Sequence, residues 1–234
     1  MTTFLFYFIS LLSAFSLSEI FRYFLFVEQN RDFWWTRLIF LVFNSALAYL
    51  LCLQWQMWQI IPFVFVLHAV VEWLPAPFWR SFLFKHGLRI MLMTGLAFLL
   101  SESLIFRLTQ FHQIYLQILL LFNGIFLTLF ASGELVGRVT EQMAIENKLE
   151  WRGLDNGGLW IGRLERLLIF IFVMIGLPSG IGFLVAAKSI LRFSDTRDDQ
   201  KMAEYVLIGT LISFSLAIIF AYLTKKALNY VANL

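Results

Sequence analysis

Long uncharged runs, interrupted by short clusters of charge, set the pattern of this chain. Residues 38–71, between Arg37 and Glu72, carry no charge; as helix that is about 51 Å at about 1.5 Å per residue. One crossing of a hydrocarbon core needs only roughly 20 residues. The polar stretch Gln54-Trp55-Gln56-Met57-Trp58-Gln59 divides the run, predicting spans over 38–53 and 58–75. Further spans are predicted over 108–133, 167–187 and 205–224, with a weaker one over 86–103, where Arg89 can snorkel along its alkyl stem. A span over 4–26 carries Glu19 and Arg22. These runs are apolar all round, whereas barrel strands alternate, and only helices satisfy every backbone amide within such a run. The expectation is an all-α, polytopic transmembrane helix bundle of about seven spans. Six spans plus a re-entrant hairpin is the alternative, if 163–191 breaks at Gly176-Leu177-Pro178-Ser179-Gly180.

Composition narrows the class. Of 234 residues, 60% are hydrophobic and 14% charged, against about 45–50% and about 25% in soluble domains. That excludes a disordered chain, a disulfide-knit secreted module and an ordinary cytosolic enzyme. The single cysteine, Cys52, lies in an apolar run and reads as a small hydrophobe. Net charge is +3, which in a membrane chain reflects basic residues kept on the cytoplasmic side rather than nucleic-acid binding. The start, Met1-Thr2-Thr3-Phe4, has no basic region of a secretory signal. All eight tryptophans fall at or just beyond the predicted span ends, as an aromatic belt requires.

Charge also orients the chain. With seven spans and the N-terminus outside, twelve Lys and Arg residues fall inside and five outside, so the C-terminus is expected inside. The hairpin alternative moves Lys188, Arg192, Arg197 and Lys201 inside and Lys225 and Lys226 outside, giving fourteen against three. The whole of 1–234 reads as one integral membrane domain: N-terminal spans over 1–137, a cytoplasmic loop over 138–160, and C-terminal spans over 161–234. A short amphipathic helix, Glu141 to Glu150, is expected within the loop, and Ser194 to Glu204 reads as a solvated turn.

Ionisable groups inside a bilayer are costly and default to functional candidates. Glu19 and Arg22, at i and i+3 on one face, read as an internally neutralised pair. His68 and Glu72, at i and i+4, could hold a metal or relay a proton, but supply only half of a zinc site; no metal or cofactor is expected. Glu134 reads as an interfacial carboxylate. The densest set is Arg163, Glu165, Arg166, Lys188, Arg192 and Glu204 around the run 167–187. It reads either as headgroup contact or as a pairing of Glu165 with a basic group across a helix interface. Within that run Gly176, Pro178 and Gly180 form a G-x-x-x-G with a central proline, a pattern for close helix packing and kinking. Walker loops, nucleophile elbows, paired-histidine zinc motifs and C-x-x-C motifs are absent from the sequence.

Three motifs occur in order: Trp160-Ile161-Gly162-Arg163-Leu164-Glu165-Arg166; Ile181-Gly182-Phe183 with Ala186-Ala187-Lys188-Ser189-Ile190-Leu191-Arg192-Phe193; and Ala203-Glu204-Tyr205-Val206-Leu207-Ile208-Gly209-Thr210-Leu211. Over roughly 160–215 the chain resembles an uncharacterised family of bacterial multi-spanning membrane proteins, a domain of unknown function. The resemblance implies a bacterial inner-membrane location and no particular activity. The family's N-terminal histidine-rich helix has only His68 as a counterpart here, and Ser18-Glu19 stands where the family's first span carries an aspartate.

The function expected is that of a non-enzymatic membrane protein, in contact with the lipid bilayer and oligomeric or partner-bound: a pore, transporter component or membrane effector. A membrane-embedded enzyme acting on a lipid or lipid-linked substrate through His68, Glu72 or Glu165 is the rival. A structural subunit of a membrane complex is the third reading.

Overall fold

The computed structural model describes residues 2–25, 34–53, 58–73, 80–103, 110–147, 157–193 and 200–233. Among them there is helix and turn and no strand. Four segments are long and apolar enough to cross a bilayer: Thr2–Tyr23, Trp34–Leu51, Gln110–Glu146 and Lys201–Ala232. Of the divide expected over 54–59, Trp58 and Gln59 form a turn and 54–57 lie outside the described residues. Of the solvated turn expected over Ser194 to Glu204, 194–199 lie outside them, and Gln200 to Glu204 instead begin the last helix, Gln200–Ala232. The chain separates into two compact units, Met1–Asn123 and Gly124–Asn233.

The first unit contains α1 (Thr2–Leu25), α2 (Trp34–Leu51), α3 (Ile60–Trp73), α4 (Arg80–Ser103) and the larger part of α5 (Gln110–Phe126). No proline or glycine interrupts α1 or α2. Helix α1 is the centre of this unit and packs on α2 and α4. Ser10, Ala14 and Ser18, four residues apart, are wholly buried, and side chains this small let neighbouring backbones come close. Phe15, Phe40, Leu41 and Met93 form a core from α1, α2 and α4, with Phe65 and Ala69 of α3 against it. Trp34 opens α2 and Trp73 closes α3, both well exposed, positions that suit headgroups.

The second unit differs from expectation in two places. The helix predicted to end near residue 133 does not end there. Helix α5 passes through a π-helical turn, Leu127–Ala131, into α6 (Ser132–Asn147). The amphipathic helix expected at Glu141 to Glu150 is thus the end of a longer rod, up to Asn147. Polar residues ended the apolar run without ending the hydrogen-bond ladder, and Ser132 Oγ returns a bond to the Thr128 carbonyl.

The second correction concerns the single crossing expected over 167–187. Helix α7 (Gly157–Ile175) stops and α8 (Pro178–Phe193) begins. Gly176 has φ +73°, a left-handed conformation that glycine adopts without a Cβ penalty. Its N–H donates to the Val173 carbonyl at 3.2 Å, and Leu177 N–H to the Phe172 carbonyl at 2.8 Å, the paired bonds of a Schellman helix end. Pro178 then fills the first position of α8, where its missing N–H costs nothing. Helix α8 folds back on α7: Glu165 and Lys188 meet, and Gly180 lies on the Phe172 ring so closely that a Cβ would sit 2.8 Å from it. Helix α9 (Gln200–Ala232) packs on α6 and α7, with Phe214 and Ala217 against Ile169.

Candidate functional site

Each unit encloses a cluster of charge. In the first, Glu72 on α3 lies between two guanidinium groups. Arg22 of α1 donates to Glu72 Oε1 at 3.4 Å, and Arg89 of α4 donates to Glu72 Oε2. Arg89 also donates to Glu19 Oε1 at 3.3 Å. The pairing expected between Glu19 and Arg22 within α1 is not made; each takes a partner on another helix. Two cations and two anions close a neutral quartet that ties α1, α3 and α4 together. Arg89 and Glu72 are the most buried members, at 4% and 8% side-chain exposure. Phe15 and Phe40 face the guanidinium of Arg89 at 5.2 and 5.9 Å from the ring centroids, a contact that strengthens when water is excluded.

One turn before Glu72, His68 is 1% exposed and its Nδ1 has no hydrogen-bond partner. Its ring lies 5.8 Å from that of Phe15. Across a narrow crevice lined by Leu11, Val64 and Met93 stands Asn44 of α2, also 1% exposed. Asn44 Oδ1 accepts from Ser18 Oγ at 3.2 Å, while its Nδ2 is unpartnered. The crevice does not admit a water-sized sphere. Along the other side of α1, Asn123 donates to Ser13 Oγ at 2.6 Å and accepts from Ser16 Oγ at 2.9 Å.

In the second unit, Glu165 of α7 accepts from Lys188 Nζ of α8 at 2.5 Å. Lys188 Nζ lies 5.3 Å from the centroid of Phe214 on α9. The neighbouring Arg166 is 5% exposed and, among the described residues, meets no carboxylate at ion-pair distance. It donates instead to two neutral oxygens, the Leu129 carbonyl of the π-helical turn at 3.0 Å and Ser213 Oγ at 3.2 Å. Gly133 and Gly162 make room for it, since a Cβ at either would press on the guanidinium. Lys225 of α9 donates to the Val173 carbonyl at 2.9 Å, adding a cation to the C-terminal end of α7, where the helix dipole favours one.

The other candidates are placed as follows. Glu134 is exposed and pairs with Arg138 one turn on. Glu204 lies on the exposed face of α9. The side chain of Arg192 lies outside the described residues. Gly176 and Pro178 make the bend between α7 and α8, and Gly180 packs within the hairpin, so the three do not share one helix face. Cys52 is buried. His68 and Glu72 have no third His, Cys, Asp or Glu beside them to complete a metal site among the described residues.

Arg89, expected to snorkel, is instead buried against Glu72 and Glu19. Of the other polar residues in these clusters, the sequence left inconspicuous Asn44 and Asn123. An asparagine alone in an uncharged run is the available signal for the last two, because a buried amide must find partners.

These features define an all-α membrane protein with several helices suited to a bilayer and two internal charge clusters. No family model, curated protein or solved structure matches the chain.

Proposed function

We propose that the protein is non-enzymatic: a transporter component, pore or membrane effector that works bound to copies of itself or to a partner. The observation that carries this reading is where the buried charges go. Glu19, Glu72 and Glu165 each engage a cation on another helix, and the crevice beside His68 is too narrow for a lipid headgroup. A general acid or base needs direct or one-water contact with its substrate, whereas intramembrane charge paired between helices is typical of solute pathways and helix coupling. The resemblance over 160–215 adds a bacterial inner-membrane location. The hairpin brings Lys188 back to Glu165 and so returns the chain to the side it came from. That supports six crossings plus a hairpin, with the N-terminus outside. The C-terminus then also lies outside rather than inside, with fourteen basic residues within.

The test is made on protein purified in detergent and reconstituted into phosphatidylethanolamine–phosphatidylglycerol vesicles. Native mass spectrometry is expected to show two or more copies of the 27.4 kDa chain, or a chain with a bound protein. The vesicle lipids are expected to stay unchanged on incubation. A lone chain overturns the assembly, and new lipid products overturn the non-enzymatic reading.

A further inference from the structure

The polar groups of the first unit are arranged along α1 rather than scattered. Arg22 and Glu19 stand at one end, with Arg89 and Glu72 beside them. Asn44 of α2 comes next, bonded to Ser18, and then His68, level with Phe15. The crevice that both line reaches Leu11, one turn of α1 from Tyr7. From Arg22 to Tyr7 is 15 residues of one helix, about 22 Å at about 1.5 Å per residue. Four buried polar atoms along this line lack hydrogen-bond partners: Arg89 Nε, His68 Nδ1, Asn44 Nδ2 and Tyr7 Oη. Tyr7 and His68 are each 1% exposed. A buried polar group without a partner costs about 1–3 kcal/mol. Such atoms are where water takes hold when a bundle opens.

We propose that this line is a proton path, with Glu72 and His68 as its proton-binding stations. The inference deepens the transport reading above and rests on it. The groups facing Glu72 are Arg22 and, through Arg89, Glu19; Arg89 comes from α4, and α2 contributes Phe40 and Asn44 at this level. His86 of α4 packs on Phe15 at 5.9 Å. A proton entering from the more exposed end, where Glu19 and Arg22 are 19% and 16% exposed, is taken up by the Glu72 carboxylate. The neutral acid releases a guanidinium. Water admitted between the helices then carries the proton to His68 Nδ1, one turn away. From His68 it passes, again through water, towards Tyr7, and Glu72 returns to its paired, ionised form. The crevice is closed to water in this state, so the path works as a gated relay and not as an open pore.

The experiment uses full-length protein in phosphatidylethanolamine–phosphatidylglycerol vesicles loaded with a pH-sensitive dye, with a potassium gradient and valinomycin driving protons inward. Protein vesicles are expected to acidify at least threefold faster than empty ones. Tyr7→Phe removes a hydroxyl that bonds to nothing, so a structural role predicts no change. The relay predicts at least a threefold loss of the protein-dependent rate, and His68→Phe roughly a tenfold loss. Both variants are checked for wild-type elution on size-exclusion chromatography. If His68→Phe fails to fold, Tyr7→Phe decides. Acidification no faster than in empty vesicles overturns the path, as does a Tyr7→Phe rate equal to wild type. With native masses showing assembly and lipids unchanged, either result sinks the proton path alone and leaves the broader reading standing.

Discussion

Among the described residues, the buried charge cluster of the first unit is balanced, and that of the second is not. Around Glu72, two guanidinium groups and two carboxylates satisfy one another. Around Glu165, one carboxylate holds Lys188, and Arg166 is left to a carbonyl and a hydroxyl. Coulomb attraction in a low-dielectric interior is large, and so is the desolvation that opposes it. A neutral quartet lets the two offset and makes the helices interdependent. A cation held by neutral oxygens gains less and keeps its charge available to an anion. The first arrangement ties helices together, whereas the second relies on local accommodation, supplied here by Gly133, Gly162 and the π-helical turn.

The comparison is most exposed to single substitutions at the two centres. Glu72→Gln leaves Arg22 and Arg89 facing each other without their shared anion. Breaking a buried pair from one side costs about 3–5 kcal/mol, and detergent-unfolding curves are expected to show a loss of that size. Arg166→Leu removes two bonds to neutral oxygens but also removes a buried cation without an ion partner, so the expected loss is about 1–2 kcal/mol. Equal losses in the two variants would abolish the distinction between the units.

How far the chain could be read before its structure follows the same physics. Helices and their tryptophan-marked ends are local properties, set by runs of 20 or so apolar residues. The break at Gly176-Leu177-Pro178 was also written locally, as a helix stop followed by a helix start. Run length alone favoured a straight crossing, because 21 uncharged residues suit one helix. The choice of partners was not legible. Glu19 and Arg22 sit three residues apart, yet their partners lie 70 and 50 residues away. Nothing in the spacing of α1 says which charge turns towards α3 and which towards α4. The continuation through Ser132 was hidden for a related reason. A polar residue changes what a helix faces without stopping it, and the turn that absorbs the change depends on Arg166, 34 residues on. Ser10, Ala14 and Ser18 were the readable sign that α1 is central, since only small residues recur at that spacing where helices crowd.

The hairpin sharpens the comparison at intermediate cost. Gly180→Ile forces a branched side chain into the space held by the Phe172 ring, and overpacking of this kind costs about 1–3 kcal/mol. Because the contact is within the chain, the expected result is lower stability with the native mass unchanged. A shift in mass without a loss of stability would place Gly180 at a contact between chains instead.

The smallest effect is expected where charge is paired but solvated. Glu134 and Arg138 are 48% and 43% exposed and 2.8 Å apart on α6. In geometry the pair matches the buried ones, and its surroundings alone set it apart. Water screens both groups in the folded and unfolded states, so an exposed pair one turn apart contributes about 0.3–0.5 kcal/mol. Glu134→Gln is expected to lower stability by no more than that, and by less in high salt. A loss comparable with that of Glu72→Gln would mean that pairing geometry, and not burial, sets the worth of these charges, and the contrast between the two clusters would lose its physical basis.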